Sequence, residues 1–230
     1  MASIKFYFGI LLLAAGILIA SLYNYSVEKY IKADTYSKRD FTVSGYFNSD
    51  DRLVLDITPD KMWSTLLFDW ISGTNFIPEY EECRIQVKIN NTYGESTVID
   101  IIFLLLASPT GEASLMPYAV YPVNSTGGLT NIEKAETGGL IEATVKTEGE
   151  YTASIVLMGN LTVAFLKATG NAVPPKTISL LRYVKTYDYK YRQIAPIGGP
   201  LIVTGLAVII VNHKWKKKVT QRKPKKRRLH

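Results

Sequence analysis

Carboxylates are the side chains in this sequence best suited to chemistry. Asp50 and Asp51 follow Asn48 in a turn-forming run, and Glu79, Glu81 and Glu82 cluster just before Cys83. Oxygen groups at such spacing suit calcium, a hard cation; the same residues also make an ordinary solvated acidic turn. Asp100 stands inside an apolar run between Ile99 and Ile101, where a carboxylate needs a cation or a hydrogen-bond donor. Two carboxylates distant in sequence can make a glycosidase pair, but no feature here favours one. Both histidines, His213 and His230, lie in the C-terminal stretch. The middle of the chain therefore has no imidazole for a Ser-His-Asp or Cys-His centre or for a zinc site. Cys83 is the sole cysteine, so an intrachain disulfide is impossible and a buried, inert thiol is expected. Neither G-x-x-x-x-G-K-[ST] nor G-x-G-x-x-G occurs, so the phosphate-cradling glycine loops are missing. The expectation is a protein with no catalytic residue, cofactor or metal site.

Positive charge is concentrated at one end. Lys214, Lys216, Lys217, Lys218, Arg222, Lys223, Lys225, Lys226, Arg227 and Arg228 follow His213 with no acid among them. These are ten of the 27 Lys and Arg, so the rest of the chain sets 17 basic residues against 20 acidic ones, and the overall +7 belongs to the tail. Such asymmetry points to an anionic surface. Beside a bilayer, each cation contributes about 1 kcal/mol of attraction to acidic headgroups. An acidic protein or nucleic acid is another polyanion the tail suits, the latter without sequence specificity.

Two uncharged runs frame the chain, Phe6–Tyr23 and Ile194–Val211. Each is about long enough to cross a ~30 Å hydrocarbon core as a helix. Pro196 and Pro200 sit in the opening turns of the second run, where a missing N–H costs least. Tyr187, Tyr189 and Tyr191 fit an outer aromatic belt and Trp215 an inner one. The first run reads as a signal anchor, with a cleaved signal peptide as the rival reading. The basic tail and Lys5 place both termini in the cytoplasm, against a weaker opposing signal from Lys29, Lys32, Lys38 and Arg39. Four N-x-S/T sequons, at Asn24, Asn90, Asn124 and Asn160, fall between the runs and suit an exported, glycosylated domain. Gly9 and Gly16 are seven residues apart, as are Gly198 and Gly205; small residues on one face let helix backbones approach.

Alternation with period two marks strands between the runs. Ile85, Val87 and Ile89 alternate with Arg84, Gln86 and Lys88; Phe41–Phe47 and Ile141–Val145 behave likewise, and Leu53–Ile57 adds a short strand. Gly159-Asn160 separates Tyr151–Met158 from Leu161–Ala168, which predicts a β-hairpin. The apolar stretch Val98–Ala107 is too short for a membrane helix and reads as a central strand covered on both faces. Turns fall at residues 48–51, 90–94, 109–111, 124–128 and 138–139. Lys61–Ile71, with Trp63 and Trp70, reads as a short helix plugging one end. Pro174-Pro175 closes the domain, and Thr177–Arg192 reads as a Tyr-rich, helical stalk.

The expected architecture is mainly β: an antiparallel β-sandwich ectodomain of about eight strands flanked by two single transmembrane α-helices. Its order is a cytoplasmic N-terminus (1–5), a first span (6–23), the exported sandwich (24–173), a stalk (174–193), a second span (194–211) and a basic cytoplasmic tail (212–230). The expected function is binding or assembly on the outer face of the plasma membrane, as a surface component or an accessory subunit among other membrane proteins. The alternative is a tether that recruits an anionic cytoplasmic partner through the tail.

Overall fold

A computed structural model describes residues 4–74, 83–107, 112–135 and 138–221. The chain divides into two compact units, Tyr30–Lys185 and the pairing of Met1–Lys29 with Thr186–His230.

The larger unit is built on antiparallel strands in two five-stranded sheets. In chain order they are β1 (Val27–Lys38), β2 (Thr42–Phe47), β3 (Arg52–Thr58), β4 (Arg84–Asn91), β5 (Ser96–Ala107), β6 (Ala113–Ser125), β7 (Leu129–Lys134), β8 (Ile141–Val145), β9 (Gly149–Leu157) and β10 (Thr177–Asp188). One sheet runs β1-β10-β3-β8-β7 and the other β2-β9-β4-β5-β6. The alternating residues do what period two requires, sending one side of each strand inward. Phe47, Leu53, Leu55, Ile85, Val87, Ile99, Ile101, Val145, Tyr151 and Leu180 are all buried in one continuous core.

Two helices, α2 (Lys61–Thr74) and α3 (Asn160–Thr169), contribute to that core. Trp63 on α2 meets Phe165 on α3 edge to face at 5.8 Å, and its indole N–H donates to the Val173 carbonyl at 2.9 Å. Lys167 lies 3.9 Å from the centre of the Trp70 ring.

Three readings of the strands are corrected. Leu161–Ala168 is helical: Leu161, Ala164 and Phe165 are the buried residues, at helical spacing, while Val163 and Leu166 are exposed. The stop signal is Gly170, left-handed at φ 72°, whose N–H caps the Leu166 carbonyl at 3.1 Å. The segment expected as a stalk is strand β10, paired with β3 from Thr177↔Thr58 to Tyr183↔Arg52. That pairing spans more than a hundred residues of sequence, so no local pattern announces it. β5 is buried on one face only, through Thr97, Ile99, Ile101 and Phe103; the opposite face is half-buried, and Leu106 is exposed. β6 beside it is an edge strand with two irregularities in its pairing to β5, where Tyr118 and Val123 are skipped. Each follows a proline, Pro117 or Pro122, which lacks the N–H that a regular ladder uses.

The smaller unit holds α1 (Ile4–Ser21) and α4 (Gly198–Gln221). Ile4–Asn24 and Ala195–Trp215 are each long and apolar enough to cross a membrane, and only 11% and 17% of their apolar windows are buried by protein. The two helices run antiparallel on a glycine seam. A Cβ on Gly16 would lie 2.8 Å from the Gly198 carbonyl oxygen, and one on Gly205 would lie 2.8 Å from that of Gly9. The seven-residue spacing of both pairs therefore matches two backbones in direct contact. Pro196 falls in the 3₁₀ turn Ala195–Ile197 that leads into α4. At this same end of the spans, Tyr25 packs on Tyr191 at 5.6 Å, and the Thr186 hydroxyl donates to the Lys29 carbonyl at 3.0 Å.

Candidate functional site

The charged residues singled out in the sequence fall into different settings. Asp51 is not part of a solvated turn, because only 3% of it is exposed. Its Oδ2 accepts from the Arg182 Nε and from the Asn48 N–H at 2.7 Å, while Arg182 Nη1 reaches Asp34 at 3.1 Å. A buried carboxylate held by a guanidinium is a structural clip between the β2–β3 turn and β10. Asp50 supplies the turn itself at φ 67°. Asp100 has the partners its apolar setting demands: Gln86 donates to it at 3.0 Å and Arg84 lies 3.5 Å away. Glu79, Glu81 and Glu82 lie outside the described residues. Cys83 is buried, as expected of an inert thiol.

Lys214 and Trp215 are exposed near the end of the second apolar helix, and α4 carries the backbone of Lys216, Lys217 and Lys218 onward. Arg222, Lys223, Lys225, Lys226, Arg227 and Arg228 lie outside the described residues. Among the sequons, Asn24 ends the 3₁₀ turn directly after α1 and is exposed, and Asn124 is exposed on β6. Asn90 is half-buried in β4, between β5 and β9. Asn160 opens α3, where its sequon partner Thr162 has a buried hydroxyl with no hydrogen-bond partner among the described residues.

Sequence patterns gave no hint of the most distinctive polar site. On the outward face of β8, Glu142 is only 3% exposed although it lies between core residues Ile141 and Ala143 that point the other way. Its Oε1 accepts from Arg52 Nη1 at 3.0 Å, and the Arg52 guanidinium lies 3.9 Å over the centre of the Tyr30 ring. Its Oε2 is buried and has no hydrogen-bond partner among the described residues. Glu133 on β7 stands directly opposite Glu142 in the β7–β8 register. The register slips between Thr130 and Glu133, and Asn131 there takes φ 50°. The slip opens a hollow of about 400 Å³ lined by Tyr30, Arg52, Asn131, Glu133, Glu142 and Thr144, among others. A like-charge pair across strands and an unpaired buried oxygen both cost stability. Both costs fall in this one hollow.

A larger hollow of about 610 Å³ opens where α2 begins, beside the ends of β5 and β6. Its charges are mostly spoken for: Lys61 pairs with Glu112 at 3.5 Å, and Asp60 with Arg39 at 2.7 Å. Asp60 also caps α2 by accepting from the Met62 N–H at 3.0 Å.

From Ala113 to Ile132 the chain has no Asp, Glu, Lys or Arg. Within that stretch β6 exposes Met116, Tyr118, Tyr121 and Val123. Edge strands usually carry charge to keep other strands away. Here the two prolines and two pairing irregularities do that work, leaving an uncharged apolar surface.

No protein-family model matches this chain, and no curated protein and no solved structure matches it either.

Proposed function

We propose that this protein is a non-enzymatic, membrane-anchored β-sandwich that acts by binding or assembly on the non-cytoplasmic face of the cell membrane. The observation that carries this reading is the glycine-seamed helix pair. Two apolar helices packed antiparallel send both connections to the β-domain from the same membrane face. The ten basic residues after His213 assign the other face to the cytoplasm, since Lys and Arg are retained there. The uncharged β6 surface, with Met116, Tyr118, Tyr121 and Val123 exposed, supports recognition of another apolar protein surface. On this reading the tail anchors orientation and grips acidic headgroups, and Asn24, Asn90, Asn124 and Asn160 lie where glycosylation is available.

The test places a photo-cross-linker at Tyr118 or Tyr121 of the full chain in native membranes, followed by mass spectrometry of the adducts. Adducts with another exported or membrane protein are the expected result. A second reading is favoured by the continuation of α4 beyond Trp215 to Gln221, which extends helix into the lysine-rich region. In that case the protein is a tether for an anionic cytoplasmic partner. Cross-links confined to the residues after His213, and lost steeply with added salt, would replace the first reading with the second.

A further inference from the structure

We propose that the hollow bounded by β3, β7 and β8 is a binding site for an ammonium group, held by Glu142 and Glu133.

The chain's own geometry builds the site. The slip between Thr130 and Glu133 lifts part of β7 away from regular pairing with β8 and leaves about 400 Å³ open. Register places Glu133 and Glu142 on the same outward side, because directly paired residues share a face. Against these two carboxylates the lining sets one cation, Arg52. Arg52 is committed on two sides, to Glu142 Oε1 at 3.0 Å and to the Tyr30 ring at 3.9 Å. The hollow therefore keeps one net negative charge and one acceptor that no described residue satisfies, Glu142 Oε2.

Both properties select the ligand. The unpaired oxygen calls for a hydrogen-bond donor, and the uncompensated charge calls for a monocation. An ammonium group supplies both, with three N–H donors and one charge. Glu142 Oε2 takes one donor, the exposed Glu133 carboxylate a second, and Asn131 Oδ1 or Thr144 Oγ1 stands within the same lining for the third. The terminal torsion of a glutamate is broad, so the Glu142 carboxylate turns as a unit to present Oε2 to the hollow, and the Arg52 guanidinium follows Oε1. A divalent ion fits less well, because it would confront the guanidinium already bound to Glu142. The ammonium group is that of a free amine or of a lysine side chain on a partner.

The test uses the full chain in lipid nanodiscs, titrated calorimetrically with 1-butylammonium chloride and separately with a blocked Gly-Lys-Gly peptide. Ionic strength is matched with sodium chloride, and 1-butanol serves as the neutral control. Saturable binding of 1-butylammonium but not 1-butanol is expected. Glu142→Gln should weaken it about tenfold or more, the size of one hydrogen bond to a charged group. Glu133→Gln, at an exposed position that leaves folding intact, should weaken it by a smaller factor. Glu150→Gln, exposed on β9 in the other sheet, should leave it unchanged. Peptide binding at least tenfold tighter than 1-butylammonium assigns the group to a partner's lysine; equal binding assigns it to a free amine. Equal heats for 1-butanol and 1-butylammonium, or affinities unaffected by Glu133→Gln and Glu142→Gln in folded protein, would overturn the proposal.

Discussion

Adding a single methyl group at Gly205 should weaken the membrane hairpin, although alanine is the better helix former. A Cβ built at Gly205 would lie 2.7 Å from Leu13 N, 2.8 Å from the Gly9 carbonyl oxygen and 3.0 Å from Leu13 Cα. All three are backbone atoms of α1, so no side chain can turn aside to make room. Comfortable carbon contacts begin near ~3.5 Å, so the helices must part by roughly 0.5–1 Å at this level. Two effects compete. Gly→Ala in a helix interior gains about 1 kcal/mol from propensity. Forcing a methyl into a filled contact costs typically about 1–3 kcal/mol. The clash wins, leaving Gly205→Ala destabilised by up to about 2 kcal/mol. Val203→Ala is the control, because Val203 is 67% exposed on the same helix and its truncation should change stability by no more than about 0.5 kcal/mol. Gly16→Ala should resemble Gly205→Ala, since its nearest contacts are also backbone, at 2.7 and 2.8 Å. Gly9→Ala should be milder, because the closest atom is Ile209 Cγ1 at 2.8 Å, part of a side chain that can rotate. The assay is SDS titration of the full chain in lipid micelles, with loss of Förster transfer between probes on cysteines introduced at Lys5 and Trp215 reporting helix separation. The buried Cys83 should stay unlabelled. Gly205→Ala opening at the same SDS fraction as Val203→Ala would refute the claim that backbone contact holds the hairpin together.

Three further outcomes follow from the β-domain. Arg182→Met strips the buried Asp51 of its cation and should cost about 3–5 kcal/mol in thermal or chemical unfolding, the usual penalty for orphaning a buried charge. Burial raises the Asp56 carboxyl above its ordinary 3.8, against a smaller opposing pull from the Ile57 N–H. A raised folded pKa gives stability that is complete below 3.8 and lost as pH rises through the folded value. Asp56→Asn should therefore raise the melting temperature at pH 7 and converge with wild type near pH 3, as read by scanning calorimetry. Thr162→Val replaces a buried hydroxyl that has no partner among the described residues, so unfolding experiments should show stability unchanged or raised by about 1 kcal/mol. The same change removes the Asn160 sequon without disturbing α3.

The features legible in the sequence are those with a local physical cause. An uncharged run long enough to cross a bilayer has to hide its backbone as a helix, and both such runs are helical. Strict alternation placed Ile85, Val87 and Ile89 on a buried face because side chains along a strand alternate by construction. The shared face of each glycine pair is legible for the same reason, since seven residues return a helix to nearly the same face; that the two faces meet each other is not. Leu161–Ala168 is ambiguous in sequence because Leu161, Val163 and Phe165 satisfy period two while Leu161, Ala164 and Phe165 satisfy the helical period; Gly170 and Lys167 at its end are the signals that favour the helix. Tertiary structure alone decided the rest. β1 is charged and exposed, and it is a strand because β10 lies beside it. β10 is a strand because β3, far away in sequence, offers it a ladder. Asp51 became a clip only when the fold brought Arg182 to it. Glu142 looks like any outward-facing residue of an amphipathic strand until a register slip on β7 and the reach of Arg52 enclose it. Periodicity decides which way a residue points, whereas only the packed chain decides what it meets.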